Sequence, residues 1–174
     1  MKLLLLLILF FVSCAPTESI LKENVDFNFK EEGFLDPDTL QTIGEALYPA
    51  LSEGIETQRV LCLKQALDVA KERSLRIMLH TNLNLPARKV TVNATATGTA
   101  QKDFDRDYPF PFSKRDLLHA EIDFMPLLDK GYIALQDTRT MEKCTVIFRI
   151  KGDDLPGEIR KYKLSFMPLV KPKL

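Results

Sequence analysis

The fold is decided by a segment that runs from Glu56 to Leu79, ETQRVLCLKQALDVAKERSLRIML. This long segment contains neither Gly nor Pro, the two residues that most weaken a helix interior. Its small and apolar residues recur at steps of three and four, which places them on one stripe of a helix: Leu63, Ala66, Leu67, Ala70, Ser74 and Ile77. We therefore predict the main helix here, with the small residues as points of close contact with a sheet.

Segments with apolar residues on alternate positions flank this helix. The clearest is Lys143–Ile150, in which Cys144, Val146 and Phe148 share one face of a strand. The predicted strands are Thr39–Tyr48, Arg88–Ala100, Leu117–Leu128, Tyr132–Leu135 and Lys143–Ile150. The last three have short connections, which favours an antiparallel meander. Weaker alternation predicts a short strand near Val25–Phe29 and an edge strand at Tyr162–Phe166.

Length and composition limit the class of protein. A chain of 174 residues suits one domain with a real core. The predicted fold class is α+β, with one long helix packed on an antiparallel sheet of about four strands. Lys plus Arg and Asp plus Glu are equal, at 24 each, so the chain lacks the basic excess that nucleic-acid binding requires.

The beginning of the chain has the pattern of an export signal. Met1 and Lys2 precede ten apolar residues, LLLLLILFFV, a run too short to span a bilayer but typical of a signal peptide. The residues Phe11-Val12-Ser13-Cys14 that end it resemble a bacterial lipoprotein signal. Cleavage before Cys14 would leave that residue to carry acyl chains. The alternative is an ordinary secretory signal with an incidental Cys.

A lipoprotein signal implies a particular organisation of the chain. Residues 1–13 would be removed, residues 14–37 would form a lipid-anchored tether, and residues 38–174 would form a single α+β domain. Acyl chains of the palmitate type would hold the protein to a membrane. Ala15, rather than Asp, follows the acylated residue, which under the enterobacterial sorting rule favours the outer membrane and its periplasmic side.

The stretch from Gly44 to Leu79 resembles a family of envelope proteins. Its matching residues are Gly44-Glu45-Ala46, then Gln58, Ala66, Ala70 and Arg73. It is similar to the LPP-twenty lipoprotein family and the related N-terminal domain of flagellar assembly protein T. The resemblance implies an α+β domain on an exported lipoprotein, at the envelope or near the flagellar base. It implies no catalytic residues.

Cys62 and Cys144 remain once Cys14 is acylated. Cys62 lies at the edge of the helical stripe, and Cys144 lies on the apolar face of the last main strand. Export would place both in a compartment that permits disulfides. A disulfide between helix and sheet and two buried free thiols both fit the pattern, and we favour the thiols.

Residue types that bind metals occur in the segment Leu117–Leu128. If that segment is a strand, His119, Glu121 and Asp123 share one face. We interpret them as a solvated face, because no second His stands at ligand spacing. No phosphate-binding, dinucleotide or nucleophile motif is present either. We therefore predict no metal, no cofactor and no enzymatic activity.

The predicted function is a structural or interaction role at the bacterial envelope, with a protein or an envelope polymer as the partner. The candidate partner surface is an aromatic connection that contains Phe104, Tyr108, Phe110 and Phe112, since exposed rings anchor contacts. A lid folded over the core is the equal alternative for these rings. The alternative function is a binding module that encloses a small apolar ligand beneath the connection.

Overall fold

The structure is a computed structural model that describes residues 32–49, 54–85, 112–139 and 142–168. The described elements, in chain order, are β1 (Gly33–Asp36), β2 (Thr39–Leu47), α1 (Ile55–Asn82), α2 (Lys114–Asp123), α3 (Met125–Leu128), β3 (Gly131–Asp137), β4 (Lys143–Lys151) and α4 (Leu155–Lys161). The strands form one antiparallel sheet in the order β1-β2-β4-β3, and α1 packs on it. The predicted α+β class is confirmed.

Helix α1 follows the sequence pattern closely. It continues three residues beyond the predicted Leu79 and ends in hydrogen bonds that close its last turn. The amide of Leu85 donates to the carbonyl of His80 at 2.9 Å, and the amide of Asn84 donates to that of Thr81 at 3.3 Å. Asn84 has the left-handed φ of 54° that this Schellman ending requires.

The contact between α1 and the sheet is a contact between two backbones. Ala66 and Ala70 are fully buried on the helix stripe, and they lie over Gly44 of β2. A Cβ atom at Gly44 would overlap the carbonyl oxygen of Ala66 and lie 2.7 Å from the amide nitrogen of Ala70. The hydroxyl of Thr42 donates to the Ala70 carbonyl at 2.9 Å. The predicted close packing of the small residues is confirmed.

The main core lies on the helix side of the sheet. Leu40 of β2 and Phe148 and Ile150 of β4 point into it from the strands. The helices supply the remaining buried residues, which include Ile77, Met78, Leu117, Phe124, Leu127, Leu155 and Ile159. Asn82 joins α1 to α4, because its side-chain amide donates to the carbonyls of Ile159 at 2.7 Å and Tyr162 at 2.9 Å.

The strand predicted at Leu117–Leu128 is wrong, because this segment forms α2 and α3. Ser113 caps α2 by accepting from the amide of Asp116 at 3.1 Å, and the Asp116 carboxylate accepts from the Ser113 amide at 3.0 Å. This reciprocal capping box is written in the sequence as Ser-x-x-Asp. It outweighs the local alternation of apolar residues. The same residues fit a helix equally well, with Leu117 and Phe124 on its buried side.

The face proposed for His119, Glu121 and Asp123 is therefore wrong as well. On a helix these three residues do not share one side. The ring of His119 stacks on Phe166 with centroids 5.3 Å apart, and Asp123 accepts from the amide of Ser165 at 2.8 Å.

Three further predictions differ from the structure: the meander, the last edge strand and the start of the domain. The meander is reduced to the hairpin of β3 and β4, and β4 pairs on its other side with β2. No edge strand forms at Tyr162–Phe166, since Tyr162 instead packs on Phe124 with ring centroids 5.5 Å apart. The domain begins before residue 38, because β1 pairs with β2. The strands predicted near Val25–Phe29 and at Arg88–Ala100 lie outside the described residues.

We expect Gly44→Ala to lower the free energy of unfolding by about 1–3 kcal/mol, because the added methyl group must displace the α1 backbone. Gly54→Ala is the matched control, since no atom lies within 4 Å of the added Cβ. The control should change stability by less than about 0.5 kcal/mol. Urea denaturation of both variants measures the difference, and equal effects would contradict the close contact.

Candidate functional site

A cleft of about 630 Å³ lies where three parts of the fold meet. They are the turn between β1 and β2, the C-terminal end of α1, and the beginning of α4. Its volume lies within the range of small-molecule sites, roughly 300–1,000 Å³, but it is an open groove on the surface and not an enclosed cavity. We treat this cleft as the candidate binding site.

Hydrogen bonds hold the walls of the cleft in place. The amide of Leu155 donates to the carbonyl of Pro37 at 2.8 Å, and the amide of Gly152 donates to that of Asp38 at 2.9 Å. The Asp38 carboxylate also accepts from the amide of Asp154 at 2.9 Å. The turn is thus tied to α4, as α1 is through Asn82. A cleft with fixed walls needs little ordering when a ligand enters.

The lining of the cleft combines an apolar surface with a few polar groups. Phe34, Leu35, Ile77 and Leu85 supply apolar side chains, and Asp36, His80, Asp154 and Arg160 supply polar ones. Such a lining suits a ligand with an apolar body and one or two polar groups. The ring of His80 is only 2% exposed and meets Phe112 edge-on, with centroids 5.6 Å apart.

Two lining residues have left-handed backbone conformations, and both are explained by helix ends. Asn84 terminates α1. Asp154 has a φ of 47° and caps α4, where its carboxylate accepts from the amide of Gly157 at 3.3 Å. Asn and Asp adopt this conformation more readily than other side chains. The case for a binding site therefore rests on the shape and lining of the cleft.

A buried ion pair between Arg73 of α1 and Glu32 lies where α1 meets the edge of β2. Arg73 donates to both oxygens of Glu32, at 2.9 and 3.0 Å, and to the carbonyl of Ile43 at 2.6 Å. Glu32 in turn accepts from the amide of Ile43 at 2.8 Å. Ile43 lies beyond the last residue of β2 that pairs with β1. The two side chains therefore satisfy the edge of β2 where β1 stops.

The structure joins Cys62 and Cys144 by a disulfide between α1 and β4, with Cα atoms 6.1 Å apart. Our preference for free thiols is therefore wrong, and the disulfide alternative is the one that forms. Neither residue is exposed to solvent. The sequence could not reveal the pairing, since it depends on how α1 crosses β4. A disulfide of this kind is typical of proteins outside the reducing cytosol.

The remaining predicted site residues are not brought together in the described structure. Cys14, Phe104, Tyr108 and Phe110 lie outside the described residues. Phe112 is 7% exposed and belongs to the core, so its assignment to a partner surface is wrong. It precedes the cap residue Ser113, and together with Leu117 it buries the start of α2, as in a hydrophobic staple.

Metal ligation and membrane crossing are two further properties on which the described residues bear. Within those residues, no three His, Cys, Asp or Glu side chains form a group that could hold a metal ion. No helix in the described ranges combines the length and apolar content that crossing a membrane requires.

Comparison with known proteins adds no relative. No protein-family model, no curated protein and no solved structure matches this chain. The resemblance to the LPP-twenty family remains a prediction from residues 44–79.

We expect the Cys62→Ala/Cys144→Ala double variant to be less stable than the parent chain by about 4–5 kcal/mol. In the chain-entropy model this is the effect of a cross-link across 82 residues. Urea denaturation of both proteins measures it. In the presence of a reducing agent, the free energy of unfolding of the parent chain should fall to that of the double variant. Equal stability of the two proteins would contradict a structural role for the disulfide.

Proposed function

We propose that the protein is an exported lipoprotein of the bacterial envelope, anchored by acyl chains on Cys14. Its α+β domain serves a non-enzymatic structural or interaction role there. The observation that carries the proposal is the order of basic residue, apolar run and Ser13-Cys14 at the start of the chain. The outer membrane is the proposed location. The resemblance at residues 44–79 favours a position near the flagellar base.

The disulfide supports export by an independent route. Cytosolic proteins rarely keep structural disulfides, whereas envelope and secreted proteins do. The bond joins the two main layers of this domain, α1 and the sheet, so it belongs to the architecture. Such a bond forms in compartments where thiols are oxidised, which agrees with the export that a lipoprotein signal would direct.

The position of Glu32 is also compatible with an anchor. Eighteen residue steps separate Cys14 from Glu32, the first residue that the structure describes. At most about 3.4 Å per residue, this connection spans up to roughly 60 Å. The domain can therefore contact either the anchoring membrane or a partner at some distance from it.

Metabolic labelling with radioactive palmitate in a bacterial host tests the anchor. The parent chain should be labelled and Cys14→Ser should not, because the acylated thiol and the processing site are lost together. The Cys62→Ser/Cys144→Ser variant is the matched control and should keep its label, since Cys14 is unchanged. Label retained by Cys14→Ser would refute acylation at that residue.

The cleft supports a second candidate function, a binding module for a small ligand with an apolar body. We expect an apolar fluorescent probe to bind the parent chain and Leu35→Trp to weaken this binding at least tenfold, because a larger ring at Leu35 would occupy the cleft. Leu47→Trp is the control, as Leu47 is 73% exposed and does not line the cleft. Absence of probe binding, or equal losses in both variants, would argue against this function.

A further inference from the structure

The face of the sheet that points away from α1 carries a buried arginine. Gly44 and Cys144 face α1, and side chains alternate along a strand. Gln41 of β2 and Arg149 of β4 therefore lie on the opposite face, where they are direct cross-strand partners. Arg149 is 8% exposed and Gln41 is fully buried. An arginine is rarely buried to this extent unless its charge is paired.

A hydrogen bond to Gln41 fixes the guanidinium of Arg149. Its Nε donates to Oε1 of Gln41 at 2.8 Å. No hydrogen bond or ion pair joins Nη1 or Nη2 to any described residue. Neither atom is among the enclosed, unbonded nitrogens of the described ranges, so both retain access to solvent. A buried and oriented stem thus presents the remaining N–H donors of the fork to an incoming group.

The side chains around Arg149 on this face supply no negative charge. Gln41 and Tyr132 lie directly opposite it on the two neighbouring strands, and Ile147 and Lys151 are its neighbours along β4. The diagonal positions on β2 and β3 within the described sheet carry no charge either. The guanidinium therefore lacks a counter-charge among its sheet neighbours.

Two carboxylates elsewhere on the same face are already engaged. Glu45 accepts from Lys143 at 2.8 Å, and Asp137 accepts from Arg139 at 2.7 Å. Both pairs are partly exposed, and they neutralise their own charges. Neither pair includes Arg149.

Lys151 is the second cation near this position, but acidic residues surround it. It lines a shallow groove together with Asp36, Asp38 and Asp153, and its Nζ lies 5.9 Å from the ring centroid of Tyr132. These carboxylates offset the charge of Lys151. The uncompensated positive charge on this face of the described sheet is therefore that of Arg149.

We infer that Arg149 binds the carboxylate of an organic anion. A guanidinium matches the two oxygens of a carboxylate in a bidentate geometry, and since Nε is occupied, those oxygens meet Nη1 and Nη2. One positive charge balances one carboxylate, whereas a phosphate group carries close to two negative charges at neutral pH. Ile147 and the ring of Tyr132 supply apolar surface for the organic part of the ligand.

This site adds a class of ligand that the proposed function does not include. It is distinct from the cleft, because neither Gln41 nor Arg149 lines that groove. It also does not depend on an anchor at Cys14. Because the guanidinium is already oriented by Gln41, little side-chain entropy is lost when a carboxylate binds.

Calorimetric titration of the purified protein, with the Cys62–Cys144 bond intact, tests the site with benzoate as the probe. We expect benzoate to bind in a dilute Tris chloride buffer. Benzyl alcohol, which has the same ring without the charge, should bind at least about tenfold more weakly, because a charge-assisted hydrogen bond is lost. Inorganic phosphate should also bind more weakly than benzoate.

Variants at Arg149 assign the binding to this side chain. Arg149→Gln should weaken benzoate binding at least about tenfold. Arg149→Lys should weaken it by a smaller factor, since it keeps the charge and loses the fork. Arg115→Gln is the matched control, because Arg115 is exposed on α2 and the change in charge is the same. It should bind within about twofold of the parent, since distant exposed charges are screened.

Thermal unfolding separates a loss of binding from a loss of folding. Saturating benzoate should raise the Tm of the parent and of Arg115→Gln, but not that of Arg149→Gln. Without benzoate, Arg149→Met should have a Tm at least equal to that of the parent, because it removes a buried charge that lacks a counter-charge.

Four results would overturn the inference. They are equal benzoate binding by the parent and Arg149→Gln, equal binding of benzyl alcohol and benzoate, tighter binding of phosphate than of benzoate, and no binding by the parent together with a lower Tm of Arg149→Met. The last would give Arg149 a role in the fold alone. Palmitate labelling is independent of these measurements, so a failure of the anchor and a failure of the Arg149 site are distinguishable.

Discussion

The structure depends on the close approach of α1 to β2 at Gly44. A hydrogen atom in place of a side chain lets the Ala66 carbonyl sit directly on the strand. This approach determines how far the helix axis stands from the sheet and where the helix crosses it. The crossing places Cys62 within bonding distance of Cys144, brings Arg73 to the edge of β2 and points the end of α1 at the turn that forms the cleft.

The features with functional meaning are distributed around this rigid unit. The disulfide joins α1 to the sheet, and the Arg73–Glu32 pair satisfies the edge of β2. The cleft lies at one end of α1, where it is bounded by the turn and α4.

The extent to which sequence reasoning succeeded differs between elements for physical reasons. Helix α1 is long, and its apolar period repeats many times, so its assignment was secure. The segment Leu117–Leu128 is short, and its apolar residues satisfy both alternation and helical spacing. The decisive signal was the polar pair Ser113 and Asp116 just before it. A capping box marks the start of a helix, whereas the burial of apolar residues alone does not distinguish a helix from a strand in so short a segment. Phe112 was misplaced for the same reason, since its burial follows from the start of that helix.

The sequence by itself determined the main helix, strands β2, β3 and β4 and the α+β class, because each depends on local periodicity. Only the tertiary structure decided the pairing of Cys62 with Cys144 and the walls of the cleft. These features join residues that are distant along the chain, and their positions depend on how closely α1 packs against the sheet. Local sequence patterns carry the period of each element, but they do not carry the angle and distance at which two elements meet.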